Sequence, residues 1–208
     1  MSAYAPVTDV LRARLEAIVG SADVLVSSAA VEPYAHDETE DRHHAPELVV
    51  RPGSTEEVAA VLGAAFEAGV PTTPRGGGTG LSGGALAVHG GIVLSIERMD
   101  AILEIDDANL MCVVQPGVIT QVLQETVAER GLYYPPDPAS RASCRIGGNI
   151  AENAGGPHCV KYGVTRDYVL GLEAVTVTGD VFRTGGKLRK DVAGYDLAQL
   201  LVGSEGTL

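Results

Sequence analysis

A chain of 208 residues, 45% of them hydrophobic, can bury a sizeable core and suits one domain of two lobes or two small domains. Its formal net charge of −12 argues against a nucleic-acid ligand, whose phosphates need a basic face. No window approaches the ~18 apolar residues of a membrane span, and the start Met1-Ser2-Ala3-Tyr4-Ala5-Pro6 lacks the basic and apolar regions of a signal peptide, so the chain reads as cytoplasmic.

Thr8 to Val19 carries Val10, Leu11, Leu15, Ile18 and Val19 at helical spacing and is closed by Gly20. The stretch that follows is acidic: Glu32, Asp37, Glu38, Glu40, Asp41 and Glu47 face only Arg42, which reads as a solvated acidic loop. His43 and His44 are adjacent and lack the i, i+4 spacing that brings two metal ligands to one helix face. Glu47 to Pro52 reads as a short strand ending at its proline. Ser54 facing Glu57 is a capping box, and the helix it opens presents Val58, Val61, Leu62, Ala65 and Phe66 before stopping at Gly69.

Val70 to Thr73 leads into Pro74-Arg75-Gly76-Gly77-Gly78-Thr79-Gly80-Leu81-Ser82-Gly83-Gly84, where six of eleven residues are glycine. A loop stripped of side chains leaves its N–H groups open to phosphate oxygens, and Arg75 adds a charge that does not titrate at working pH. The run reads as a pyrophosphate cradle. Gly78 to Gly83 also fits G-x-G-x-x-G, with Glu97 and Asp100 about 20 residues on, as a Rossmann site asks. That site must open a helix, yet a strand-like run from Gly91 to Ile96 follows almost at once, so an NAD-type Rossmann site is disfavoured.

Leu110 to Gln115 reads as a strand ending at Pro116-Gly117, and Thr120 as the cap of a helix with Val122, Leu123 and Val127, closed by Gly131. Tyr133 to Pro138 is extended and stiffened by its prolines. A second glycine-rich segment runs from Ile146 to Pro157, followed by a hairpin, Leu172 to Thr178 and Val181 to Thr184, about Gly179-Asp180. Asp196 to Val202 reads as a short helix. Cys112, Cys144 and Cys159 are odd in number and lack C-x-x-C, so they read as reduced thiols; Arg183, Lys187, Arg189 and Lys190 read as a solvated basic loop. Gly203 to Leu208 stops in mid-pattern, as expected of the front part of something longer.

Pro74 to Gly84, Val114-Gln115-Pro116-Gly117, Ile146-Gly147-Gly148-Asn149 and Gly203-Ser204-Glu205-Gly206-Thr207-Leu208 resemble, in order and spacing, the FAD-binding domain of vanillyl-alcohol-oxidase-type flavoproteins. Tyr133 to Pro138 and Glu152 to Gly163 are most similar to the flavin subunit of bacterial glycolate oxidase, with flavin-dependent D-lactate and D-2-hydroxyglutarate dehydrogenases as near relatives. The resemblance implies an α+β fold with FAD between two lobes. It divides the chain into an N-terminal helix and acidic loop (1–46), a first lobe (47–107) and a second, truncated lobe (108–208), with a substrate-binding cap domain absent.

Carried over by motif, Pro74, Arg75, Gly76, Gly77, Gly78, Thr79, Gly80, Leu81 and Ser82 wrap the pyrophosphate. Pro136, Asp137, Ser143, Cys144 and Arg145 line the ribityl and adenosine portion, and Gly147, Gly148 and Asn149 lie along the cofactor. Ala154, Gly155, Tyr162 and Gly163 join the set, and Glu205 and Gly206 reach the adenosine end. Arg145 stands where many relatives carry threonine, and the lack of histidine between Pro74 and Gly84 implies non-covalent FAD. No residue stands out as a catalytic base. The implied activity is oxidation of a D-2-hydroxy acid of the glycolate or D-lactate type, with electrons passing on through an iron–sulfur partner subunit. The alternative is a nucleotide-binding module without redox turnover. Gly77→Glu is expected to abolish FAD binding, by placing a carboxylate where phosphate belongs; unchanged affinity in a fluorescence titration would remove the cradle assignment.

Overall fold

The computed structural model describes residues 4–188 and 190–207, so Arg189 of the basic run and Leu208 of the closing motif lie outside the described residues. The chain forms two compact units. The first runs to Met99 and takes back Val175–Val181; the second is made of Asp100–Ala174 and the chain from Phe182 on.

The first unit opens with α1 (Asp9–Val19), whose N-cap Thr8 accepts a hydrogen bond from Leu11 N–H and whose Leu11, Leu15 and Val19 are buried. Next come β1 (Val24–Leu25) and a one-turn helix α2 (Ser28–Val31), both too short to leave a period in the sequence. Strand β2 (Leu48–Val50) leads to α3 (Thr55–Ala68), then β3 (Thr72–Arg75) and β4 (Ile92–Ser95). Ser54 caps α3 by accepting from Glu57 N–H, but the Glu57 carboxylate takes the N–H of Gly53, not that of Ser54. Phe66, expected on the inner face of α3, is 55% exposed; the buried stripe is Val61, Ala64 and Ala65. Small alanines let the helix lie close on the sheet and leave the phenyl ring outside.

The sheet order is β1-β2-β4-β3, with β2 and β3 both parallel to β4 and β1 antiparallel at one edge. Every residue of β4 is buried, as a continuous apolar run requires when a parallel strand is covered on both faces. The register sets Thr72 beside Ile92 and Arg75 beside Ser95, so β3 and β4 end together, with β2 ending one residue earlier at Val50 opposite Leu94. Glu47 of the acidic stretch is exposed, as expected, and also serves as a brace: its carboxylate accepts from Val7 N–H (2.9 Å) and Gly91 N–H (3.0 Å).

In the second unit, β5 (Ile102–Asp106) pairs antiparallel with β6 (Met111–Val114), followed by α4 (Thr120–Ala128). Thr120 is not the cap of α4. Ile119 holds that position, and Thr120 is fully buried as the first helical residue. The glycines of Ile146-Gly147-Gly148 open a helix, α5 (Ile146–Glu152), ending at Asn153 in the left-handed conformation. A short α6 (Cys159–Tyr162), the hairpin β7 (Gly171–Val175) and β8 (Val181–Gly185), whose residues 175–181 belong to the first unit, and α7 (Leu197–Leu201) follow. Its core gathers Val118, Leu123, Val127 and Ile146. In the basic run, Arg183 pairs with Glu173 (2.7 Å) and Lys187 with Glu104.

Ile92→Ala, at a fully buried site on the strand flanked by β2 and β3, is expected to destabilise the protein by about 2–5 kcal/mol. A lowered urea midpoint would show it; a loss under about 1 kcal/mol would contradict this placement of the core.

Candidate cofactor-binding site

The glycine loop leaves the sheet at the carboxyl end of β3, the end of a parallel sheet at which α/β proteins bind their ligands. Among the described residues, no backbone N–H from Gly76 through Ser82 donates to a protein acceptor. Gly77, Leu81 and Ser82 are exposed, and Pro74, Gly76, Thr79 and Gly80 also keep solvent-facing surface. A run of bare, unpaired donors fits anionic oxygens.

Arg75, expected to add a charge to the cradle, is buried. It is 8% exposed and lies beneath the loop: Nη2 donates to Pro33 O (3.2 Å), and the guanidinium carbon stands 5.7 Å from the centre of the Tyr34 ring. Its Nη1 is buried without a partner. Burial lowers its pKa, opposed by the negative field of Asp37. A Cβ on Gly78 would fall inside this guanidinium, and Gly78 has φ +67°, so glycine is required there on two counts.

The carboxyl ends of β2 and β4 carry a polar network. Arg51 bridges Asp23 (2.9 Å) and Glu97 (3.1 Å), Arg98 joins Asp23 (2.9 Å), and Tyr34 donates its hydroxyl to Glu97 (3.1 Å). Burial and the Glu97 charge raise the Tyr34 pKa, which keeps the phenol protonated as a donor.

The second unit holds the other expected residues. Asp137 is 8% exposed; its carboxylate takes Arg141 Nη1 at 2.7 Å and lies 3.4 Å from His158 Nδ1. The Tyr133 hydroxyl lies 3.2 Å from the same His158 nitrogen. Pro136 is buried, with its carbonyl accepting from Gln124 (2.8 Å). A Cβ at Gly156 would collide with the Asp137 carbonyl, so two loops touch backbone to backbone there. Asp137 is an expected site residue; its contacts with His158 and Gly156 join segments distant in sequence and leave no local signal.

Cys144 and Asn149 turn inward: Asn149 Nδ2 donates to Thr120 Oγ1 (2.6 Å), which lies 3.2 Å from Cys144 Sγ. Arg145 is also engaged, with Nη1 on Gly117 O, while Gly147 N–H donates to Pro116 O (2.7 Å). The side chains of Cys144, Arg145 and Asn149 therefore fix α5 to the turn before α4 and to α4 itself. Gly148 faces open space. Ser143 is exposed and donates to Ser140 O, and Ala154 O accepts from Thr165. Gly155 packs by Cys159, Tyr162 stacks edge-on with Tyr133, and Gly163 abuts Asp167. Glu205 N–H donates to Ala151 O (2.8 Å), with Glu205 and Gly206 both at positive φ.

A glycine loop of open N–H groups at the carboxyl end of parallel strands is an arrangement suited to the phosphates of a nucleotide cofactor. Residues 46–185 match the family described as FAD binding domain. The chain belongs to that family, the FAD-binding domain of p-cresol-methylhydroxylase-type flavoproteins. It is 54% identical to the glycolate oxidase subunit GlcD of Bacillus subtilis over 84% of this chain and 37% of that relative. It is 44% identical to D-lactate dehydrogenase of Anaerostipes hadrus, over 89% of this chain and 39% of that one. Among solved structures, p-cresol methylhydroxylase with substrate bound superposes with TM-score 0.74 and 28% identity, over 95% of this chain and 40% of its own. The chain thus spans about two fifths of the length of these relatives. No helix among the described residues is long and apolar enough to cross a membrane.

Gly156→Ala is expected to cost roughly 1–3 kcal/mol by forcing apart the loops at Asp137 and Gly156. A thermal midpoint equal to wild type would show that the contact is not held in solution.

Proposed function

We propose that this chain is the FAD-binding part of an oxidoreductase that converts a D-2-hydroxy acid, of the glycolate or D-lactate type, into the 2-oxo acid. The observation that carries the FAD contact is the row of unpaired N–H groups from Gly76 to Ser82 above the buried guanidinium of Arg75. The residues fit the group: two phosphate charges meet open donors, with a fixed positive charge behind them. The substrate class rests on the relatives, one named a glycolate oxidase subunit and another a D-lactate dehydrogenase.

In this reading Pro74 to Ser82 wrap the pyrophosphate, Gly76 to Ser82 through their backbone N–H donors, and Gly78 and Arg75 keep the loop in shape. Pro136, Asp137, Ser143, Cys144, Arg145, Gly147, Gly148, Asn149, Ala154, Gly155, Tyr162, Gly163, Glu205 and Gly206 are proposed as further FAD-contacting positions of the second unit. For Cys144, Arg145 and Asn149 the contact is through backbone, since their side chains are engaged within the protein. Binding is non-covalent, as no histidine lies in the loop to tether a flavin. The chemistry the flavin would supply is acceptance of a hydride from the substrate α-carbon. An iron–sulfur subunit is the proposed next electron carrier; the word subunit in one relative's name accords with a multi-chain enzyme.

The purified protein, mixed with FAD and desalted, is expected to keep flavin absorption at about one equivalent per chain. A colourless protein after the same treatment would overturn the cofactor assignment. The substrate class is tested in a polypeptide of the relatives' full length, by anaerobic bleaching with glycolate or D-lactate against L-lactate. Bleaching by L-lactate alone would overturn it.

A further inference from the structure

Residues Pro33 to Thr39 precede the matched family segment, which begins at residue 46, yet they close the underside of the glycine loop. Pro33 O accepts from Arg75 Nη2, the Tyr34 ring faces the guanidinium, and Glu38 N–H donates to Gly80 O (3.2 Å). Thr39 Oγ1 reaches the edge of the space at Gly83. Asp37 stands between these anchors. It is 9% exposed, far from the solvated acid expected of this loop, and its Oδ1 accepts from Thr39 N–H (2.9 Å).

Three buried polar atoms of this segment and of Arg75 have no hydrogen-bond partner: Asp37 Oδ2, Thr39 Oγ1 and Arg75 Nη1. No carboxylate among the described residues comes within ion-pair distance of Arg75. The Asp37 charge acts on the buried Arg75 cation without the ion-pair contact that would neutralise it, and burying a charge costs desolvation. The free Nη1 is shut off from solvent, and the guanidinium stands directly against Gly78.

We propose that Asp37 is the resident counter-charge of Arg75, and that the pyrophosphate held by the glycine loop competes with it for the same guanidinium. The inference rests on the FAD reading above. Asp37 is a positioning residue here: it acts through Arg75. In the empty protein it offsets part of the cost of burying that cation. Once a doubly charged pyrophosphate lies over Gly78, Asp37 is a surplus negative charge in a medium of low dielectric. Removing its charge alone therefore destabilises the empty protein and strengthens FAD binding. A residue with a merely structural role would weaken both.

Asp37→Asn isolates the charge, because asparagine keeps an oxygen for the Thr39 N–H. The measurements are the thermal midpoint of the FAD-free chain and the FAD dissociation constant by flavin fluorescence. The expected result is a lower midpoint together with FAD binding ~3- to 10-fold tighter. Asp37→Glu is expected to return both towards wild type, and the tightening should vanish in an Arg75→Met background. Affinity that is unchanged, or that falls along with the midpoint, overturns the proposal. Should D37N unfold when empty, folding is scored with FAD present, where recovery of bound flavin is expected and its absence counts against the proposal. A wild-type chain that takes no FAD removes the underlying reading and this inference with it; wild-type binding without tightening in D37N removes the inference alone.

Discussion

A buried guanidinium beneath a loop without side chains is the constraint on which the first unit turns. Arg75 is the last residue of an edge strand, in register with Ser95, so its direction is set by the sheet and not by the loop. Its side chain fills the space under Gly78, which is why that position admits no Cβ. The loop can then spend its backbone donors outward, since none is used on the protein's own acceptors. A cation held in that way costs desolvation whether or not a ligand is present. The Tyr34 ring, the Pro33 carbonyl and the Asp37 charge each offset some of it.

The second unit solves a different problem with a buried polar network. Helix α5 carries glycine, a poor helix former, at its second and third positions, and no side chain caps its start. Its start is held instead by Asn149 on Thr120, by Gly147 N–H on the Pro116 carbonyl, and by Arg145 on Gly117. Each buried donor finds an acceptor, so the network fixes one arrangement of helix and turn. Asp137 plays a matching part for the following loops, joining Arg141 to His158 where Gly156 touches its carbonyl.

What the sequence made legible follows from how local each signal is. The helix at Asp9–Val19, the capped helix at Thr55–Ala68 and the hairpin about Gly179 all rest on neighbours within a few residues, and all are present. So does the absence of a Rossmann helix after the glycine loop: the next regular element is the strand Ile92–Ser95. Helix α5 was hidden because its glycines read as a loop, and it exists through contacts with residues some 25 to 30 positions earlier. Phe66 was misplaced because helical spacing cannot tell which of two adjacent stripes will meet the sheet. The burial of Arg75 and Asp37 was beyond the sequence for the same reason. Charge composition gives an acidic loop, and only the fold sets one acid of that loop against a cation about 40 residues away.

The central claim is that the backbone of Gly76 to Ser82 receives the pyrophosphate of FAD. Backbone amide chemical shifts, recorded on the 15N-labelled chain before and after adding FAD, test it most directly. The account predicts large changes at Gly77 through Ser82, reproduced at those residues by ADP and absent with riboflavin, which lacks the phosphates. Shifts confined to other segments, or changes in the loop as large with riboflavin as with FAD, would contradict it.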